Sequence, residues 1–404
     1  MIYSTYQAFA DVHDPFRDLA TQMQRVLFDW KLGDFASPLQ NLAAFYEIAA
    51  LAGFTHIRPD FDITHVSING VETPVREEVV LDLPFGSLLR FRKAGAKNEP
   101  KVLLIAPMSG HFATLLRGTA LTMLRDFDVY ITDWKNARDI PVEAGVFGLE
   151  DFTQYVIDFV HALGPQAHIV AVCQPTVSAL AATSIMAARR DNDQPASLTL
   201  MAGPIDVRVS PTKVNDLAND KPFAWFEEKM IAKVPPGKRG EGRRVYPGFV
   251  QLAAFLSMNA QRHAKSFRDM FSHRVEGEHD KANAIRTFYE EYFAIMDLPG
   301  DFYLETIRDV FQNAALPKGE MIFKGERVDP AAMRKTFLLT VEGEKDDICA
   351  VGQTLVAQDL CASLRPYMKS HHMQPSVGHY GVFNGRRWES QIYPVVRNHI
   401  ISSM

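Results

Sequence analysis

The 404-residue chain has only three cysteines, at positions 173, 349 and 361. That is too few for a disulfide framework. No apolar run is long enough to span a bilayer, so no membrane partner is expected. The N-terminus lacks a basic region followed by an apolar stretch, so no secretory signal is expected. A net charge of −5 leaves no global basic field to attract nucleic acid. HExxH, CxxC and Walker sequences are missing, and the adjacent His371 and His372 would face opposite sides of a strand. No metal and no cofactor is therefore expected. A reducing cytoplasm is the default compartment, and a thiol nucleophile survives there. Internal repeats and low-complexity tracts are also missing.

Apolar residues are abundant, at 47% of the chain, and aromatics reach 11% with 27 Phe. This suits a large core or an apolar substrate. The length allows one large α/β domain with an insertion, or two domains.

Taken in order, residues 1–74 read as a helical N-terminal extension, helical over 11–54 and irregular over 60–75. Ser37-Pro38-Leu39-Gln40 resembles a capping box. Leu42, Phe45, Ile48, Ala49 and Leu51 then make an apolar face, which packs on the main domain or serves as a docking or dimerisation arm. Residues 75–202 form the first part of the main domain. Strands are predicted over 75–83 and 87–93, around Pro84-Phe85-Gly86. Strand and helix then alternate: strands at 101–106, 127–132, 167–172 and 197–201, helices at 114–125, 149–163 and 176–190. Residues 203–335 break this rhythm with helical stretches and scattered aromatics, and read as a cap insertion. Its basic loop, Lys238 to Arg244, reads as solvated. Residues 336–404 return to the core, with strands at 336–341 and 366–371 and helices at 351–362 and 386–401. The whole is an α/β fold with a mainly parallel sheet covered by helices on both faces.

The chemistry concentrates at Ala171-Val172-Cys173-Gln174-Pro175, between the strand at 167–172 and the helix after it. A nucleophile elbow has this layout, usually as G-x-S-x-G. Here Cys replaces Ser, Ala the first Gly and Pro the second. Ala is small enough for close strand–helix packing, and Pro is tolerated in a first helical turn. Cys173 would stand at the positive end of a helix macrodipole; alternatively it is a small buried hydrophobe. Two later turns favour the catalytic reading. Gly343-Glu344-Lys345-Asp346-Asp347 follows one strand, and Gly378-His379-Tyr380-Gly381 follows the last. The order Cys, Asp, His is that of the α/β-hydrolases. His379 would move the proton and the acid would steer it. Asp346 is preferred, with Asp347 as the fallback. The small residues around His379 leave its ring room to swing. Oxyanion donors would be the N–H of Gln174 and that of Met108 or Ser109, since Pro107 has none. His111 and Trp134 are candidates for lining the substrate site, although each has an ordinary structural alternative.

These stretches resemble the intracellular polyhydroxyalkanoate (polyhydroxybutyrate) depolymerases. The resemblance is carried by residues 170–180, Ala106-Pro107-Met108-Ser109-Gly110-His111, Thr132-Asp133-Trp134-Lys135-Asn136-Ala137, residues 341–348 and Val377-Gly378-His379-Tyr380-Gly381. It implies an α/β-hydrolase with Cys173 as nucleophile, Asp346 as acid and His379 as base. The substrate would be amorphous granules of short 3-hydroxyalkanoate polyester, and the location cytoplasmic, at granules. Homo-oligomers are possible. Two other functions share these residues: a polyester synthase using hydroxyacyl-CoA, and a non-catalytic granule-associated protein. Synthases tend to keep Gly around the Cys, so Ala171 and Pro175 favour depolymerisation.

Overall fold

The computed structural model describes residues 2–29, 36–51, 53–95, 98–258 and 260–404. Two helices, α1 (Ile2–Asp29) and α2 (Ala36–Leu51), precede β1 (His65–Ile68), β2 (Val71–Leu83) and β3 (Gly86–Lys93). Alternation follows: β4 (Lys101–Ile105), α3 (Arg117–Met123), β5 (Asp128–Trp134), α4 (Leu149–Leu163), β6 (His168–Val172), α5 (Thr176–Ala188) and β7 (Ser197–Met201). A long insertion then carries α6 (Lys213–Asp220), α7 (Phe223–Met230), β8 (Ala232–Lys233), β9 (Arg244–Tyr246), α8 (Gly248–Met258), α9 (Ala260–Val275), α10 (His279–Tyr292) and β10 (Leu298–Pro299). It ends in a two-stranded pair, β11 (Ile322–Phe323) and β12 (Glu326–Arg327). The chain returns as β13 (Phe337–Gly343) and β14 (Lys369–Gln374). Among the described residues, no helix is long and apolar enough to cross a membrane.

Nine strands hydrogen-bond in the order β1-β2-β3-β5-β4-β6-β7-β13-β14. The β1, β2, β3 and β5 neighbours pair antiparallel. Every pair from β5 through β4, β6, β7 and β13 to β14 is parallel. Helices cover both faces of a parallel sheet, so its central strands have to be apolar throughout. β6 and β7 are buried at every position. Register places the functional edge. Val172 of β6 and Val341 of β13 both pair with Met201 of β7. The turns that follow these strands therefore leave the sheet at one level.

The structure differs from the sequence reading in several places. Residues 60–75 include β1, which joins β2 through Asn69-Gly70, both with positive φ. Asn-Gly is a strong short hairpin signal, and it was there to be read. The helix expected over 351–362 is reduced to Ala357–Leu360. The buried Glu342 carboxylate accepts the N–H groups of Gly352, Thr354 and Leu355, and so holds that segment in turns. The loop read as solvated contains a buried Arg243. Its guanidinium donates to the carbonyls of Ile140 and Gly145 and lies over the Phe85 ring. On α2, Leu42 and Phe45 are exposed, Ile48 and Ala49 are half-buried, and the buried positions among those described are Ala43, Ala44, Glu47 and Leu51. The side chains of Ser37 to Gln40 lie outside the described residues.

A buried carboxylate helps to fasten the first turn of the N-terminal extension. Asp297 accepts hydrogen bonds from the Tyr3 hydroxyl and from the Gly248 N–H. Its own N–H donates to Asn136 Oδ1 at 2.9 Å. Burial pushes the Asp297 carboxyl up to about 6, and the two donors hold it from rising further. The folded state thus binds a proton more tightly than the unfolded chain, and stability falls as pH rises from about 4 to 6. Replacing Tyr3 with Phe removes a donor to the ionised form. We expect a loss of about 1.5–3 kcal/mol above pH 6 and a smaller loss near pH 4. Thermal unfolding of Tyr3→Phe across this range checks it; a pH-independent loss would contradict the linkage.

Candidate active site

β6 ends in a turn whose first residue is Cys173. Its φ is +66°, a region that side-chain-bearing residues rarely enter. The surroundings enforce it. The Cys173 N–H donates to Met201 O at 2.8 Å, and Thr176 donates to Cys173 O from both N–H (3.1 Å) and Oγ1 (2.9 Å). Thr176 is in turn pressed by Gly203, where a Cβ would lie 1.8 Å from Oγ1. Pro175 stands at the helix entrance, where a missing N–H costs nothing. Cys173 is half-buried and packs against the core cluster. Strain of this kind persists only where neighbours over-determine it.

The acid and the histidine come from two loops laid across each other. Glu344 N–H donates to Gln374 O, Lys345 N–H to Val377 O, and Ser376 N–H to the Glu344 carboxylate. Gly343 lies at the crossing: a Cβ there would be 2.7 Å from Val377 O and 2.9 Å from Val382 Cγ2. Asp346 Oδ2 consequently stands 2.7 Å from His379 Nδ1. Its Oδ1 accepts the N–H groups of Ile348 and Cys349. Asp347 is exposed and does not meet the ring. The ring does not have the freedom expected of it. His379 is buried, with Tyr380 and Phe383 edge-on at 5.9 and 5.7 Å. Of its flanking glycines, Gly378 makes room for the Lys345 carbonyl and Gly381 for the Val377 side chain. Burial opposes a charge on the imidazole. Cys173 on one side and Asp346 on the other, acting by charge and by hydrogen bonds, still hold its cation well above the ordinary range.

Among the described residues, none accepts a hydrogen bond from the backbone N–H of Met108, Ser109 or Gln174. Trp134, a candidate for the site wall, is a core residue. It is 1% exposed, packs on Phe152 and Phe159, and donates Nε1–H to Ala106 O at 2.7 Å. It therefore fixes the start of the loop after β4 from below. His111 is buried beneath the insertion. Its ring lies 5.0 Å from that of Tyr292, and burial pulls its pKa down to about 4, so it is neutral at pH 7. His111 also forms a β-bridge with Ile295, and Met296 N–H donates to Gly110 O. Tyr292 continues the contact to Tyr380, beside His379.

Sequence reasoning passed over Glu342. A carboxylate inside an otherwise apolar strand was the available signal. Through Thr354 it supports the Gly203 backbone, which presses on the elbow. Among the described residues, two groupings could hold a metal ion: His161, Asp191 and Asp193, and His273, Glu276 and Glu278. In each, the histidine is already paired with a carboxylate.

Together these features define a class. The sheet order, the strained residue between strand and helix, the acid after β13 and the histidine after β14 are those of an α/β-hydrolase. The family described as PHB de-polymerase C-terminus matches residues 202–403, half of the chain, and the chain belongs to that family. The match includes Asp346 and His379 and begins after Cys173. No curated protein matches. Among solved structures the chain is similar to a monoacylglycerol lipase of Paleococcus ferrophilus, at 14% identity over 75% of this chain and 95% of that one, TM-score 0.44. It is also similar to an esterase of Thermogutta terrifontis, at 13% over 84% and 98%, TM-score 0.42. An enol-lactonase of Burkholderia xenovorans LB400 matches at 13% over 84% and 99%, TM-score 0.40. Family membership supports ester hydrolysis as the reaction class.

The loop crossing has a measurable consequence. Gly343→Ala sets a Cβ against backbone, and we expect it to cost about 1–3 kcal/mol. Gly381→Ala meets only the Val377 side chain, at 2.8 Å, and should cost less. Equal losses in thermal unfolding would refute the close crossing.

Proposed function

We propose that the protein is an intracellular depolymerase that hydrolyses the ester bonds of poly(3-hydroxybutyrate) or a related short-chain polyhydroxyalkanoate. One observation carries the reading: a buried imidazole lies between the Asp346 carboxylate and the Cys173 thiol at a strained elbow. The family match supports the substrate class.

The polyester strand lies beneath the cap. Cys173 sulfur attacks an ester carbonyl while His379 takes the thiol proton. The oxyanion is met by Gln174 N–H and by the N–H of Met108 or Ser109. His379 returns the proton to the departing hydroxyl. Water activated by His379 then cleaves the thioester, releasing 3-hydroxybutyrate or oligomers. Asp346 keeps the imidazole in the tautomer that this sequence needs. The polymer granule is the partner, and the cytoplasm the location.

Incubation with amorphous poly(3-hydroxybutyrate), followed by mass analysis of soluble products, tests the reaction. Release of hydroxyacid or its oligomers is expected. Release of CoA from hydroxyacyl-CoA with no hydroxyacid would instead identify an acyltransferase. No turnover of either would leave a non-catalytic granule protein. Cys173→Ala should abolish product without altering the fold. Asp346→Asn should lower kcat by about 10²–10⁴, and Asp347→Asn should leave it near wild type. A reversed order of the two Asp variants would overturn the assignment of the acid.

A further inference from the structure

Beyond its first turns, which bury Tyr3, helix α1 is turned the opposite way from an ordinary amphipathic helix. Its inward side carries Arg17, Thr21 and Gln24, which line a cavity of about 530 Å³ together with Glu47 of α2. Its outward side carries Phe9, Val12, Phe16, Leu19, Met23 and Val26. Five of these are open to solvent, Phe16 at 67% and Phe9 and Val12 at 59% each. A helix normally buries its apolar stripe. Here the stripe has no partner among the described residues of the chain.

Its spacing says what fits it. The residues recur at alternating intervals of three and four, the two-in-seven seam of a coiled coil. A flat polymer or lipid surface would be met better by a broader apolar face. We propose that this stripe pairs antiparallel with the same stripe of a second copy, making the chain a two-fold dimer through its N-terminal helices. A two-fold axis between positions 17 and 18 sets Phe9 against Val26, Val12 against Met23 and Phe16 against Leu19. The positions flanking the seam, Ala8, His13, Pro15, Ala20 and Gln22, hold no carboxylate, lysine or arginine to repel the mate. Such a contact is isologous, as closed dimers require.

The area is sufficient. With large side chains offering about 150–200 Å² each, the open parts of the stripe amount to roughly 500 Å² per copy. Two copies then bury about 1,000 Å² in total, the size at which a specific interface begins. The paired hairpins would form a four-helix arrangement. This inference does not depend on the ester-hydrolase reading.

Sedimentation velocity on the full-length chain, across the micromolar range, tests it. Wild type should sediment as a dimer. Phe16→Lys combined with Leu19→Lys should raise the dimer dissociation constant at least about 100-fold, because charges replace apolar residues at the centre of the seam. Both positions are exposed, so circular dichroism and the melting of the main domain should be unchanged. A monomeric wild type, or a dimer that withstands the double substitution, overturns the proposal. It is equally overturned by a monomer whose adsorption to amorphous polyester the substitutions abolish, which would give the stripe to the polymer.

Discussion

The site depends on the register of three adjacent parallel strands. Met201 sits opposite Val172 on one side and Val341 on the other. A slip of one residue in any of the three would reverse which side chains face the core and would move one turn away from the others. Buried strands resist such slips, because every position on both faces is packed. The placement of the turns bearing Cys173 and Asp346 is thus inherited from hydrophobic packing beneath them, whereas His379 follows the exposed edge strand β14 and is placed by the loop crossing. The local devices, such as the missing side chain at Gly203 and the crossing at Gly343, refine what the register has set.

Much of this could be read in the sequence. The helix 149–163 and the strand 197–201 were expected at the bounds they have. Both are long or strongly apolar segments with clear punctuation. The turns bearing Cys173, Asp346 and His379 were found because the reacting residue types are rare in such settings and arrive in a recognisable order. What escaped was set by distant partners. The turns at 351–356 exist because a carboxylate eleven or so residues earlier takes their N–H groups, and no local pattern reports that. Trp134 looked equally suited to a wall or a core, and only the position of Phe152 and Ala106 decides.

The N-terminal extension shows the opposite limit. Leu42 and Phe45 have the spacing of a core face, yet the buried side of α2 is filled by Ala43, Ala44, Glu47 and Leu51. Hydrophobic periodicity identifies a surface that wants covering; it does not say by what. Glu47 illustrates this from the polar side, since it lies inside the fold where Arg274 reaches it with two hydrogen bonds, at 2.8 and 2.6 Å, and Arg286 approaches the same carboxylate. An isolated buried carboxylate would not be tolerated there.

The segment from Ala294 to Asp297 bridges to Thr55 and His111, binds Gly110 and Asn136, and receives Tyr3. The insertion is therefore not an exchangeable cassette. Anyone grafting a foreign roof onto this hydrolase core to alter its selectivity would have to transplant the N-terminal helices and residues 108–111 with it, since the three share one hydrogen-bonded seam.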